Sequence, residues 1–457
     1  METRRVSRVL LCLTSLVLGA SCTFSPHPQS GAQACEPVNN RCQAGYLCGA
    51  DGRCWTVDVT KSGGAAGGSG STDGATGGIS SADLTFALAT VGAGQSPAIA
   101  VDKSGYAHVA YYNYDYDMVR YATNSSGSWA ITDIGKVDLA PDNIGAGVAM
   151  ATPSIAVDST GNIHISYYQA TYVFQFGIAT RLQHVTNKSG SWVTEDLGYS
   201  YYFGMNSSIA AGPSGEVFIV YPWTDCVGFL SATDMPVNCN KGVRIAANLS
   251  GIWSMEPVFL DSTTIVGPHT SSLHEYDVNL WVAIDTRTHA HVASSPSGGR
   301  IVRYSTDVSG TWKTVTIEEA ASYGSLLPSI AISRGYISVV GYYGDNGVEI
   351  ATNSANSWAT FITTPGSFAK SSGCVPRFAI DASDDLYLMC PGRIDIYNPG
   401  VSGSLVRSLV STALTGMTIG TSSLGVTTVI ALDTNSKVHV AYQSAGSSPQ
   451  IMYVTNK

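Results

Sequence analysis

SPAIAVDKSGYAHVAYY at residues 96–112 and TPSIAVDSTGNIHISYY at residues 152–168 are two copies of one pattern, and that recurrence decides the fold. Each copy is an apolar run, a short turn carrying Asp, Ser and Gly, and a second run that alternates. This reads as two strands joined by a tight turn. More distant copies stand at 207–223 (SSIAAGPSGEVFIVYPW), 280–295, 328–343, 376–389 (PRFAIDASDDLYLM) and 428–443 (TVIALDTNSKVHVAYQ). The turn position recurs as Asp102, Asp158, Gly212, Asp285, Ser333, Asp381 and Asp433. A second half follows, as in VRYATNSSGSWAITDI (119–134), LQHVTNKSGSWVTEDL (182–197) and VRYSTDVSGTWKTVTI (302–317), with Trp129, Trp192, Trp253, Trp312 and Trp358 opening its last strand. The unit is therefore four strands, a to d, and units of roughly fifty residues with this content are the signature of propeller blades.

Closure gives an independent check. The last repeat stops at IMYVTNK, the end of its strand c, whereas FALATV (86–91) aligns with a strand d and sets Phe86 in the Trp position. A first strand that completes the last blade removes the open edges of a linear array. Residues 82–457 are thus expected to form an all-β, seven-bladed β-propeller closed by its own N-terminal strand.

The half-repeat SxxSGSW resembles the Asp-box, or BNR, repeat of sialidase-like propellers, and STDVSGTW (305–312) comes nearest, with Asp307 and Trp312 in box-like positions. The resemblance implies a structural turn between strands c and d, away from any active site, and function does not follow from it. An enzyme of that family needs three arginines converging on a carboxylate near the axis. Arg120, Arg244 and Arg303 share one position on strand c, at equal depth in different blades, which keeps them from converging.

The N-terminal 81 residues read differently. Arg4, Arg5 and Arg8 precede an apolar core from Val9 to Leu18, and Gly19, Ala20 and Ser21 lead to Cys22. This resembles the lipobox of bacterial lipoproteins, with Gly19 where Leu is usual. The resemblance implies that residues 1–21 are a signal peptide, that Cys22 is lipidated, and that the chain sits in the cell envelope, at the outer membrane or cell surface. The alternative is plain secretion. Residues 22–34 would be a tether, 35–55 a small Cys-rich module and 56–81 a Gly/Ser-rich linker, whose Gly-rich run of about twenty residues spans roughly 25 Å as a coil.

Beyond Cys12 and Cys22, the cysteines fall in local clusters: Cys35, Cys42, Cys48 and Cys54; Cys226 and Cys239; Cys374 and Cys390. In an exported chain these imply disulfides. Paired CxxC knuckles with His partners, as zinc would require, do not occur. Cys226 with Cys239 would pin a loop of blade 3, and Cys374 with Cys390 would staple strands a and b of blade 6.

A formal charge of −9 with only 12% charged residues offers no basic face for nucleic acid. After the signal no run is apolar enough to span a membrane, so membrane contact is expected through the lipid alone. No phosphate-binding Gly motif opens a helix, and neither a cofactor nor a metal is expected. The four histidines at one repeated position of strand b, His108, His164, His291 and His439, are expected to hydrogen-bond to neighbouring blades rather than to ligate.

Strand order places the d-to-a and b-to-c connections on one face of the ring. The long departures from the repeat, at 135–151, 169–177, 224–241 and 261–277, fall almost entirely in that set. Insertions confined to one face mark a binding face. The repeated Tyr doublets (Tyr111, Tyr112, Tyr167, Tyr168, Tyr342, Tyr343) suit packing between blades, whereas Tyr114, Tyr116, Tyr172, Phe174 and Trp223, with His274 and Glu275, are candidate ligand contacts. The expected function is a non-enzymatic recognition module for a glycan or an envelope or extracellular protein. The alternative is a glycoside hydrolase or lyase of sialidase-like architecture using loop carboxylates such as Glu275, Asp277, Asp115 and Asp117.

Overall fold

In the computed structural model the described residues are 46–48, 54–56 and 86–456, excepting 139–151, 175–176, 202–205, 231–234, 262–277, 297–300, 320–326, 345–346, 354–356, 363–375, 391, 399–403, 411, 416 and 418–427. The chain divides into two units, Met1–Gly78 and Ile79–Lys457. In the first, β1 (Tyr46–Cys48) pairs antiparallel with β2 (Cys54–Thr56), which sets Cys48 opposite Cys54. The signal, Cys22, Cys35, Cys42 and the linker lie outside the described residues.

The second unit is the propeller. It opens with β3 (Phe86–Ala93), followed by blade 1 as β4 (Gln95–Val101), β5 (Ala107–Asn113), β6 (Met118–Thr123) and β7 (Ala130–Lys136). Blade 2 is β8 (Ser154–Val157), β9 (Ile163–Phe174), β10 (Gly177–Thr186) and β11 (Val193–Tyr201). Blade 3 is β12 (Ser208–Ala211), β13 (Val217–Leu230), β14 (Met235–Asn248) and β15 (Trp253–Asp261). Blade 4 is β16 (Val278–Ile284), β17 (Ala290–Pro296), β18 (Ile301–Thr306) and β19 (Lys313–Glu319). Blade 5 is β20 (Ser329–Ile332), β21 (Ser338–Gly344), β22 (Gly347–Thr352) and β23 (Ala359–Ile362). Blade 6 is β24 (Arg377–Ile380), β25 (Leu386–Cys390), β26 (Arg393–Asn398) and β27 (Ser404–Val410). Blade 7 is β28 (Thr428–Leu432), β29 (Val438–Gln443) and β30 (Gln450–Asn456), and β3 supplies its fourth strand, with Phe86 opposite Asn456. Seven four-stranded antiparallel sheets and the closing strand match the repeat reading.

Two sequence devices build each blade. The Asp ending strand a caps its own turn: Asp102 Oδ1 accepts the N–H groups of Ser104 and Tyr106, both at 2.9 Å, and Asp158, Asp285, Asp381 and Asp433 repeat the arrangement. The Asn or Asp ending strand c accepts the first N–H of strand b, as Asn124 does from Ala107 at 2.9 Å and Asp307 does from Ala290 at 2.9 Å. The Asp of the box-like motif is therefore a strand clamp. Both devices supply acceptors to amides that a two-strand ladder leaves unpaired.

The core lies between blades. Alternation along strand b sends Ala110 and Tyr112 toward blade 2 and Val109 and Tyr111 toward blade 7. The Tyr doublets are buried, as their recurrence implied. Where Tyr167 of blade 2 meets blade 1, Gly135 of β7 leaves the room, since a Cβ there would run into the Tyr167 hydroxyl.

The repeated histidines bond chiefly within their own blades rather than to neighbours: His108 Nδ1 to the Tyr121 hydroxyl (2.7 Å), His164 Nδ1 to His184 Nε2 (3.0 Å), His291 Nδ1 to the Tyr304 hydroxyl (2.7 Å), and His439 Nδ1 to the Tyr453 hydroxyl (2.6 Å). The expected bond to a neighbouring blade is seen at His291, whose Nδ1 also lies 3.4 Å from the Ser338 hydroxyl of blade 5. Their Nε2 atoms face the turn carboxylates of Asp102, Asp158 and Asp285 at 3.3, 3.4 and 3.6 Å. At those lengths the contact is electrostatic rather than a well-formed hydrogen bond. The neighbouring blade enters through its Trp, which meets the strand c ring edge-on: Trp192 on Tyr121, Trp253 on His184, Trp358 on Tyr304, and Trp129 on Tyr453, with centroids 4.9–5.1 Å apart. Blade 3 replaces the polar set with Phe218 and Ile245, packed with Trp312. A hydrogen-bonded imidazole and a phenyl ring thus fill the same slot.

Candidate functional site

The face expected to bind carries two distinct kinds of elaboration. At 169–177 and 224–241 the sequence suggests loops, but the backbone continues as β-structure. Strands β9 and β10 run to Phe174 and Gly177, and β13 and β14 run to Leu230 and Met235, so blades 2 and 3 project hairpin arms. The arm of blade 3 sets Cys226 directly opposite Cys239. Strand pairing extends across these segments because alternation persists through them, while a repeat alignment registers only that they are longer. Tyr172 pairs with Ala179 at the backbone of the blade 2 arm; its side chain and that of Phe174 lie outside what is described. His269, His274, Glu275, Asp277 and Cys374 also lie outside the described residues.

Blade 1 carries a compact turn on the same face. Asn113 is buried and holds both sides of it: its Nδ2 donates to the Ala93 carbonyl (2.7 Å), and its Oδ1 accepts the N–H of Tyr116 (3.0 Å). The Tyr112 hydroxyl donates to Asp117 Oδ1 (2.9 Å), and Asp117 takes a left-handed backbone, φ 53°. Burial and the Asp117 carboxylate together push the Tyr112 hydroxyl far above its usual range, so it stays a donor at any working pH. The turn so fixed leaves Tyr114 and Tyr116 exposed at 61% and 65%. The Arg120 guanidinium lies over the Tyr116 ring at 4.7 Å and pairs with Asp133 at 2.7 Å.

The equivalent arginines do likewise. Arg244 lies over the Trp223 ring at 3.6 Å, and Arg303 over Phe259 at 5.1 Å. Arg120 and Arg244 stay with an aromatic of their own blade and Arg303 with one of blade 3, each over a different ring, in keeping with their separate placement on strand c. Trp223 is half-buried beneath its arginine and packs in the blade 2–blade 3 core.

The axis holds a group that the sequence reading did not single out. Arg377, the first residue of β24, is 5% exposed. Its guanidinium lies over the Trp281 ring at 4.4 Å, and Nη1 donates to the Pro328 carbonyl at 3.0 Å. It borders an axial cavity of about 50 Å³, lined also by Ala98, Ser154, Ile209, Trp281 and Ser329. The signal was available: the pairing registers align Arg377 with Ala98, Ser154, Ser208, Trp281, Ser329 and Val429, small or apolar residues apart from Trp281. Arg377 is the charged member of that column, and it lines the axial cavity.

At the opposite end, the turns after strand a surround a mouth of about 310 Å³ lined by Asp102, Lys103, Asp158, Ser159, Asp285 and Thr286 among others. Its carboxylates are consumed by their turns. Four hydrogen bonds to Asp158, from the Thr160 and Asn162 side chains and backbones, outweigh its burial and hold its carboxyl well below the usual range. Among the described residues neither end gathers a free acid–base pair, and no cluster of three or more His, Cys, Asp or Glu side chains could hold a metal ion.

No known family model matches the chain, and no curated protein matches it. Among solved structures it is similar to a protein of unknown function from Dyadobacter fermentans (14% identity, 68% of this chain and 96% of that one, TM-score 0.40). It is also similar to the NanB sialidase of Streptococcus pneumoniae (10% identity, 82% and 92% covered, TM-score 0.39). A functionally unknown protein from Desulfotomaculum acetoxidans is a third (14% identity, 77% and 90% covered, TM-score 0.41). Among these solved neighbours of the seven-bladed β-propeller, then, stand a sialidase and proteins without known function.

Proposed function

We propose that the propeller is a recognition module, carried by a lipid on Cys22 in the cell envelope, that binds a glycan or an extracellular protein on the face bearing the arms. The supporting observation is the blade 1 turn. Tyr114 and Tyr116 break the repeat and are exposed, and Asn113, Asp117 and Arg120 hold them in place. Exposed aromatics fixed before a ligand arrives lose little entropy on binding and present flat apolar area with a polar tip, which suits sugar rings and interface anchors alike. Tyr172, Phe174, His274 and Glu275 are kept as sequence candidates for the same function.

The test is a glycan array followed by calorimetry on the best sugar. The double variant Tyr114→Ala, Tyr116→Ala is expected to weaken binding by tenfold or more, the order of one hot-spot residue. An affinity unchanged by that variant would remove the turn from the site. If the array is negative with folded protein, envelope pull-down with the same variant as control tests the protein partner.

A further inference from the structure

We propose that the axial channel is an anion site, in which a small monovalent anion sits against the Arg377 guanidinium and completes the ring from the inside. The geometry carries this by itself. Arg377 is 95% removed from solvent, its Nη1 goes to a backbone carbonyl, and its Nε has no partner. Among the described residues no carboxylate pairs with it. The Trp281 face covers one side of the guanidinium at 4.4 Å, which shields it from water without neutralising it.

Burial is the main influence on this group and lowers its pKa only to about 10, so the side chain remains a cation at neutral pH. A buried charge that meets no counter-ion among the described residues and lacks full hydrogen bonding is strongly unfavourable, and other channel positions in its layer are small or apolar residues that place no such demand. The cavity it borders supplies what an anion needs. Ser154 lines it, and the Ser154 Oγ accepts the N–H of Ile209 at 3.1 Å, so its own hydroxyl proton is available to donate. The Ser329 hydroxyl, by contrast, is committed to the Pro376 carbonyl. Two residues with a donor to spare, Arg377 and Ser154, therefore line a space of about 50 Å³ whose other walls are largely apolar, Ile99, Ile155, Ile209 and Phe378 among them. That volume takes a few water-sized groups. The ligand class is accordingly a halide or a planar monoanion of three or four heavy atoms, such as formate, rather than a sugar acid or a phosphate ester. Because Arg377 comes from blade 6 and touches Pro328 of the blade 5 entry and Trp281 of blade 4, the anion would lock three blades together.

Crystals of the full mature chain soaked in bromide should show an anomalous peak within hydrogen-bond reach of Arg377 Nε, and formate soaks that displace it would identify carboxylate as an equal occupant. In solution, replacing gluconate with chloride at constant ionic strength should raise the melting temperature logarithmically, by roughly 2 °C for each tenfold above the dissociation constant. R377M, which keeps the volume and loses the charge, should abolish both effects. Water alone at Nε in bromide-soaked wild-type crystals, or a melting temperature that follows ionic strength whichever anion is present, overturns the proposal. Both wild-type measurements stand even if R377M fails to fold.

Discussion

Acidification should unfold this propeller well above the pH at which its carboxylates titrate, because its repeated imidazoles are buried neutral. Burial is the largest influence on all of them. It takes His184, against the opposing pull of Glu195, and His439, against that of Asp433, each down to about 4. His108, His164 and His291 move the same way for the same reason. In the unfolded chain an imidazole titrates at 6.5, so as pH falls below that value protons bind the unfolded state first. Each such histidine then costs ~1.4 kcal/mol per pH unit until the folded group titrates too. From His184 and His439 alone, stability at pH 5 should be about 4 kcal/mol lower than at pH 7.5, a large part of what a domain possesses. Asp158 has its carboxyl held down, so its contribution is lost only below the ordinary carboxylate range and does not enter this window. Urea unfolding followed by Trp fluorescence between pH 7.5 and 5 measures the slope. The double change His439→Phe, Tyr453→Ile copies the Phe218–Ile245 pair with which blade 3 fills the same slot. It should lower that slope by about 1.4 kcal/mol per pH unit. Stability that stays flat down to pH 5, or a slope untouched by the double change, would refute the account.

Three further outcomes follow from the packing. Deleting residues 82–94 removes β3 and leaves β30 as an open edge, so the truncated ring should aggregate at neutral pH and recover solubility when the 82–94 peptide is added in trans, read by light scattering. Gly135→Val should cost ~1–3 kcal/mol in urea unfolding because its side chain enters the space of the Tyr167 hydroxyl, and Tyr167→Phe should restore part of that loss. Cys226 and Cys239 are opposed in the blade 3 arm, so protein purified from an oxidising compartment should bind as many equivalents of a thiol reagent as its Cys226→Ser, Cys239→Ser variant, whereas a free pair would bind two more.

The blade number and the closing strand were legible because each rests on residues that recur in register: the turn Asp, the strand c Asn and the strand d Trp. Burial of the Tyr doublets was legible for the same reason. Partnerships across a blade were less so. The histidine column alone does not reveal whether its bonds run within the blade or between blades; the answer depends on Tyr121, Tyr304 and Tyr453 standing diagonally across from it, a cross-strand relation that only the pairing register supplies. The arms were taken for loops because a repeat registers length but not pairing. Arg377 was not legible because the axis is lined by strand a, where one charged residue in a column of otherwise uncharged ones is a single letter in a short apolar run.

Ring closure also sets the order of events during synthesis. Thr90 of β3 meets Met452 of β30 across 362 residues of chain, so the propeller's first strand waits for its last. Blades 1 to 6 hold all four of their strands locally and can assemble as they emerge, but blade 7 has no complete sheet until its final residues arrive. Until then the nascent body is an open arc with an unpaired edge at each end, vulnerable to pairing with another chain. A polypeptide delivered end-first through a narrow pore would therefore stay unlatched for the whole passage and fasten only afterwards.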